Sequence, residues 1–510
     1  MMTNRDGSSL FGGTVVGLRS GGADRAAATS RDVRAPGDDL PRCPPQEVGV
    51  DADAVLAYLD DMQANGLELD SFMLARHGSV AAEGWWWPYR PDLVHMLHSA
   101  TKSFTATGIG IAIAEGRLNL DDPVLKFFPG RVKQPSANLE AMTVENLLTQ
   151  TPGHERGISG SAWRPIATSW VDEFFKVPVA HKPGTRFTYS SATSFMLSAI
   201  VNRVTGESLH DYMKPRFFDP LGITTARWDV GPENINPGGN GLSTTTSDFL
   251  KLGLVYLAGG EWRGRPVLSR EWTQAATAPK FHGNHGYHWW VWPNPLCYSA
   301  DGKFGQFCFV FPGLDAVLVT TAGVPDNLET REKMHAIAFK HIVKMCPPAS
   351  VADNEPGLAE RVHNLRVLPP LLPQSSALAA KISGRTFVCA PNADAVKAIK
   401  LTFAGGSCQF ELTDDRGSHT IDNGLSDWIE GETTMTGHYL HHEYQPQCMP
   451  VIAGGRWGEP NKFDMTWQFI ETAFRDTASM TFDGDTVRFD RSVNVNSGAL
   501  HRPTIVATAT

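Results

Sequence analysis

Ser99 and Lys102 stand three residues apart in Ser99-Ala100-Thr101-Lys102, where residues 99–115 read as a helix. A serine hydroxyl is a poor nucleophile at neutral pH unless a base lies within hydrogen-bond reach. A residue three positions along a helix faces the same side, one turn away. Lysine serves as that base only when substantially neutral, so burial or nearby positive charge must lower its pKa. The mostly small and apolar residues that follow, from Phe104 on, could bury it. A serine at a helix N-terminus also meets free backbone N–H groups and the positive end of the helix dipole, where negative charge would develop. The chemistry such a pair could perform is acyl transfer through a serine ester. The spacing alone is a weak signal, because a capping serine followed by a solvated lysine has the same pattern. The surrounding elements have to decide.

Those elements fall into two blocks. Asp51 or Asp53 can cap a helix carrying Val55, Leu59 and Met62 on one face. Residues 71–76 and 80–84 then flank a Gly-containing turn as a β-hairpin. Helices fit residues 143–148, 194–205, 246–257 and 269–277, each bounded by cap or breaker residues, and strands fit 286–292, 303–311 and 316–321. An antiparallel sheet that returns after a helical middle is an α+β arrangement. Cys346-Pro-Pro and Leu368-Pro-Pro-Leu-Leu-Pro373 mark a linker. Beyond it, short β-rich runs at 398–403, 408–412, 434–439, 463–469, 479–482 and 486–489 predict a small antiparallel barrel or sandwich. The expected organisation is a poorly ordered leader (1–45), a hydrolase domain (46–350), a Pro-rich linker (351–378) and a β-barrel (379–510).

Composition narrows the function classes. The chain has 510 residues, 42% of them hydrophobic and 19% charged, with a net charge of −9 and no basic run, so a small-molecule substrate is favoured over nucleic acid or an anionic membrane. Seven cysteines without a C-x-x-C pair read as reduced thiols. No apolar signal segment or membrane-length hydrophobic span is evident, and a cytoplasmic location is expected.

Three ordered elements give the Ser-Lys pair its context. The first is His98-Ser99-Ala-Thr-Lys102-Ser103-Phe104 with Ala114-Glu-Gly-Arg-Leu-Asn-Leu-Asp-Asp122-Pro123. The second is Lys182-Pro-Gly-Thr-Arg-Phe-Thr-Tyr189-Ser190-Ser191, and the third is Lys303-Phe304-Gly305-Gln306. With the supporting segments Thr143-Val-Glu-Asn-Leu-Leu-Thr-Gln-Thr-Pro-Gly153, Phe218-Asp-Pro-Leu-Gly222 and residues 238–248, the chain over about 51–340 resembles the serine β-lactamase and penicillin-binding-protein superfamily. The likeness is to its class C-like branch, which holds esterases, D-aminopeptidases and the nylon-dimer hydrolase. The resemblance implies a β-lactamase-like α+β fold and a lipocalin-like C-terminal barrel. It also implies Ser99 as nucleophile, Lys102 as base and Tyr189 as a proton shuttle with a lowered pKa. Lys303 would supply positive charge or anchor a substrate carboxylate, and the backbone N–H groups of Ser99 and Gln306 an oxyanion hole. Phe304, Gly305 and Ser191 would border the substrate. Ser191 stands where many relatives carry Asn, and loss of that amide favours esters or small amides over β-lactams.

The aromatics of 287–292, Tyr287 and Trp289 among them, could line an apolar pocket or pack in the core. His282, His285 and His288 lack the acidic or cysteine companions of a metal site and read as loop histidines. The expected reaction needs no cofactor or metal. Its substrate is a small carboxylic ester, or alternatively an amide or lactam. A non-turning penicillin-receptor-like binder is a third reading, and a homo-oligomer is compatible with the sequence.

Overall fold

The computed structural model describes residues 34–280, 284–348 and 354–510. Asp51 accepts from the Ala54 amide at 2.9 Å and so opens helix α1 (Ala52–Ala64), whose Val55, Leu59 and Met62 are buried. Strands β1 (Leu69–Arg76) and β2 (Ser79–Trp85) form the expected hairpin. The helices that follow include α2 (Thr101–Ala114), α3 (Val144–Leu148), α4 (Ser191–Thr205) and α5 (Thr246–Leu257). The chain then returns to the sheet through β3 (Trp290–Pro293), β4 (Leu296–Gly302), β5 (Gln306–Phe311) and β6 (Ala316–Ala322), before helix α6 (Leu328–Met345).

The strand order is β2-β1-β6-β5-β4-β3, antiparallel throughout. Both faces of this sheet are covered. Phe72, Leu74, Phe307, Phe309 and Leu318 pack with α1 and α6, whereas Met73, Ala75, Cys308, Val310, Val317 and Val319 join the helical cluster on the other side. That split by alternate residues is the two-residue period of a pleated strand. Helix α2 runs through the centre of the helical layer, with every residue from Thr101 to Ala112 buried. Its glycines are needed there: a Cβ on Gly110 would lie 2.4 Å from Trp272.

The second domain is an antiparallel sheet built from β7 (Thr386–Cys389), β8 (Ala398–Ala404), β9 (Ser407–Asp414), β10 (Gly417–Gly424), β11 (Ile429–Thr433), β12 (Met449–Glu459), β13 (Lys462–Phe469), β14 (Arg475–Asp483), β15 (Thr486–Val493) and β16 (Ile505–Ala509). Among the described residues, nine of these strands close into a barrel where Gly424 of β10 bridges Gly454 of β12. Strand β11 lies outside the ring, on the edge of β12. Closure leaves few exposed edges, and the inward residues, Phe410, Phe463, Met465, Trp467 and Phe489 among them, form one core.

Several boundaries differ from expectation. Packing begins before residue 46: Ala35 and Leu40 are buried, and Arg42 pairs with both Asp38 and Glu83. Residues 1–33 of the proposed leader lie outside the described residues. The proposed linker contains helix α7 (Glu355–His363), which buries Leu358 in the cluster of α1 and the sheet. Residues 303–305 are a tight turn, and strand β4 just before it had no clear alternating pattern to announce it. Residues 434–439 form no strand but belong to a loop that leaves the barrel toward the first domain.

The two domains share a polar and apolar seam. The Tyr89 hydroxyl donates to Thr472 O at 2.7 Å, Arg475 pairs with Glu68 at 2.8 Å, and the Met96 amide donates to Glu471 O at 2.9 Å. Phe304, from the first domain, sits in the barrel's hydrophobic cluster, 5.6 Å from the Phe474 ring.

Candidate active site

Ser99 lies in the single turn that precedes α2, and His98 before it is held at φ +48°, a left-handed value uncommon for a side chain of this size. Burial of His98 between Phe304 and Phe474 fixes that turn. One turn along the helix, Lys102 Nζ lies 3.1 Å from Ser99 Oγ, 3.2 Å from Ser191 Oγ and 2.8 Å from Gly239 O. Burial, aided by the positive charge of Lys303, pushes the Lys102 ammonium down to about 7. A neutral amine has two N–H donors and one lone pair. Donating to Gly239 O and Ser191 Oγ leaves the lone pair for the Ser99 proton. Gly239 is glycine for a reason: a Cβ there would lie 2.9–3.0 Å from Ser191 and push away the carbonyl that holds Lys102.

Tyr189 completes the group. Its hydroxyl is in hydrogen-bond contact with Ser99, and Lys102 Nζ lies 4.8 Å from the centre of its ring. The ring is 36% exposed in the cleft, yet the protein around the hydroxyl pushes its pKa up to about 12, against the pull of the Ser99 hydrogen bond. This corrects the expectation of a lowered value. Lys102 faces the ring rather than the oxygen, so its charge does little for the phenolate. Tyr189 is therefore a proton donor at neutral pH.

The position of Tyr189 is set by Gln150, in the segment 143–153, whose residue type and spacing alone carry no sign of this role. Gln150 is fully buried at φ +59°. Its carbonyl accepts from the Thr188 amide at 2.7 Å, and its side-chain Oε1 accepts from the Ser190 amide and the Thr193 hydroxyl, both at 2.8 Å. Both amides flanking Tyr189 thus end on one residue. Replacing Gln150 by Met leaves the buried Ser190 donor unpaired. We expect kcat to fall roughly tenfold or more with KM nearly unchanged, as measured by steady-state kinetics.

Lys303, Phe304 and Gly305 border the cleft with Ser99, but Gln306 is fully buried and does not line it. The Gln306 side chain braces the turn, donating to Lys303 O at 3.1 Å and Ala322 O at 2.8 Å, and so holds the Gln306 backbone in place directly after Gly305. The backbone that touches the Ser99 turn is Gly302, where a Cβ would come within 2.2 Å of Leu97 O and 3.2 Å of Ala100 N. Phe304 points into the barrel core and presents little but backbone to the cleft.

Tyr287 and Trp289 are core residues rather than pocket walls. Tyr287 donates to Glu145 at 2.6 Å, and Trp289 packs 4.5 Å from Tyr256. The neighbouring Trp290 does line the cleft, 5.7 Å from Tyr189. Ser191 spends its hydroxyl on Lys102 and is a positioning residue. His285 and His288 lie in the loop that precedes β3 and are buried there, with His288 Nε2 3.0 Å from Ser194 Oγ. His282 lies outside the described residues. Among the described residues no cluster could hold a metal ion, and no helix is long and apolar enough to cross a membrane.

Comparison with known proteins agrees with this fold. The family model described as Beta-lactamase matches residues 57–339, more than half of the chain. The 6-aminohexanoate-dimer hydrolase of Paenarthrobacter ureafaciens is 26% identical over 316 residues, 55% of this chain and 80% of that protein. Protein flp of Staphylococcus aureus is 30% identical over 138 residues, 26% of this chain and 28% of that protein. Among solved structures, a 6-aminohexanoate-dimer hydrolase candidate from Bacillus anthracis superposes with a TM-score of 0.50 at 18% identity, covering 62% of this chain and 91% of that one; it supports the fold.

Proposed function

Because this chain belongs to the beta-lactamase family of serine hydrolases, we propose that it hydrolyses a small carboxylic ester through an acyl-enzyme on Ser99. The observation that carries the proposal is Ser99 Oγ held between the amine of Lys102 at 3.1 Å and the hydroxyl of Tyr189. Neutral Lys102 takes the Ser99 proton as Oγ attacks the carbonyl carbon. In this proposal the resulting oxyanion is stabilised by the backbone N–H groups of Ser99, at the helix terminus, and Gln306, directly after the cleft residue Gly305. As the bond to the leaving oxygen breaks, Lys102 returns the proton through Tyr189 to the departing alkoxide. Water then attacks the acyl-enzyme, Lys102 accepts its proton, and the carboxylic acid leaves with Ser99 restored.

Amide hydrolysis by the same residues is the second reading, favoured by the 6-aminohexanoate-dimer hydrolase relative. Short-chain p-nitrophenyl esters, amino-acid p-nitroanilides and a chromogenic cephalosporin separate the readings. We expect kcat/KM to be highest on the esters. Preferential turnover of anilides would move the assignment to amides, and preferential turnover of the cephalosporin to lactams.

A further inference from the structure

The cleft beside Ser99 encloses about 410 Å³ and contains two cations, Lys303 and Arg331. Neither is free. Arg331 donates to Asp301 at 2.8 and 3.2 Å, and that carboxylate also accepts from Ser299 at 2.6 Å and lies 3.1 Å from His335. Lys303 is paired with the Asp326 carboxylate, and Ser497, reaching over from the barrel, bridges both partners at 3.1 and 2.8 Å. The remaining wall is largely apolar, with Trp290, Phe307, Val324, Leu328 and Met334. A carboxylate beside the scissile carbonyl would meet a lysine already paired with Asp326 and, in Asp326, a carboxylate of like charge, a built-in repulsive element of the kind that sets specificity.

Resting on the serine acyl-transfer reading above, we propose that the cleft selects uncharged apolar acyl groups and that Asp326, by occupying Lys303, is the residue that turns away acyl groups bearing a carboxylate. Asp326 and Ser497 come from different domains, so this selectivity is completed by the barrel.

The test uses two boronic acids that mimic the tetrahedral state on serine whatever the leaving group, butylboronic acid and 3-carboxypropylboronic acid, measured by calorimetry on the full chain. The unmodified protein is expected to bind the neutral compound at least about tenfold more tightly. Asp326→Asn is expected to shrink that ratio about tenfold or more by improving binding of the anionic compound, and Asp326→Glu to restore it. Equal affinities for the unmodified protein, or a ratio unmoved by Asp326→Asn, overturn the proposal. Binding of butylboronic acid that survives Ser99→Ala at full strength, or no binding of either compound, overturns the serine reading instead.

Discussion

Ser99→Ala is expected to reduce kcat on any substrate the protein turns over by roughly 10⁴-fold or more, leaving only what oriented binding and the oxyanion donors provide. The size follows from the geometry. Ser99 Oγ is the atom on which Lys102 and Tyr189 both converge, and no second hydroxyl can replace it: Ser191 Oγ lies 3.2 Å from Lys102 but opens a different helix and does not border the cleft. The half-buried Ser99 side chain makes few structural contacts, so the variant should fold normally. The thermal midpoint, measured beside the kinetics, separates lost chemistry from lost structure. A variant that keeps wild-type turnover would remove Ser99 from the mechanism.

Lys102 carries the second large effect. Its pKa is pushed down to about 7 by burial and by Lys303, and the mechanism needs the neutral amine. Activity therefore rises with pH through about 7, and below that value kcat/KM should fall roughly tenfold per pH unit as the ammonium loses its lone pair. Tyr189, with its phenol pushed up to about 12, stays protonated across this range and adds no limb of its own near neutrality. Lys102→Met should lower kcat by about 10³-fold or more and abolish the limb near 7. Lys303→Met should move that limb to higher pH, since the positive charge that helps depress Lys102 is gone. A pH–rate profile of the three proteins on one neutral ester checks all of this. A limb unmoved by Lys303→Met would mean that burial alone sets the Lys102 pKa.

Ser99 and Lys102 stood out in the amino-acid sequence by their spacing, and the family resemblance carried by the ordered segments, residues 182–191 among them, gave that spacing its meaning and added Tyr189. A three-residue step on a helix puts base and nucleophile on one face whatever surrounds them, and Tyr189-Ser190-Ser191 keeps its place as the entry to a helix. The α+β block, the barrel and most helices followed for the same reason, since caps, turns and periodicity are local. Register was less secure. Pockets are chosen by which face of a strand or loop turns inward, so Trp290 lines the cleft where Tyr287 and Trp289 were expected, and the neighbours went to the core. Residues 303–305 were expected to be strand but make a turn that buries the Gln306 side chain against Ala322 O.

Local pattern and the ordered motifs thus gave the fold class and pointed to Ser99, Lys102 and Tyr189, each through residues within a few positions of one another. Tertiary packing alone decided the rest. Gln150 reaches both amides that flank Tyr189, some 40 residues away along the chain. The Lys102 pKa depends on burial by a whole helical layer. Phe304 sits in the core of the other domain, and Asp326 and Ser497, from opposite sides of the domain seam, close on Lys303. Contacts between residues this far apart leave no periodicity or spacing in the chain, because they exist only once two separately folded surfaces have met.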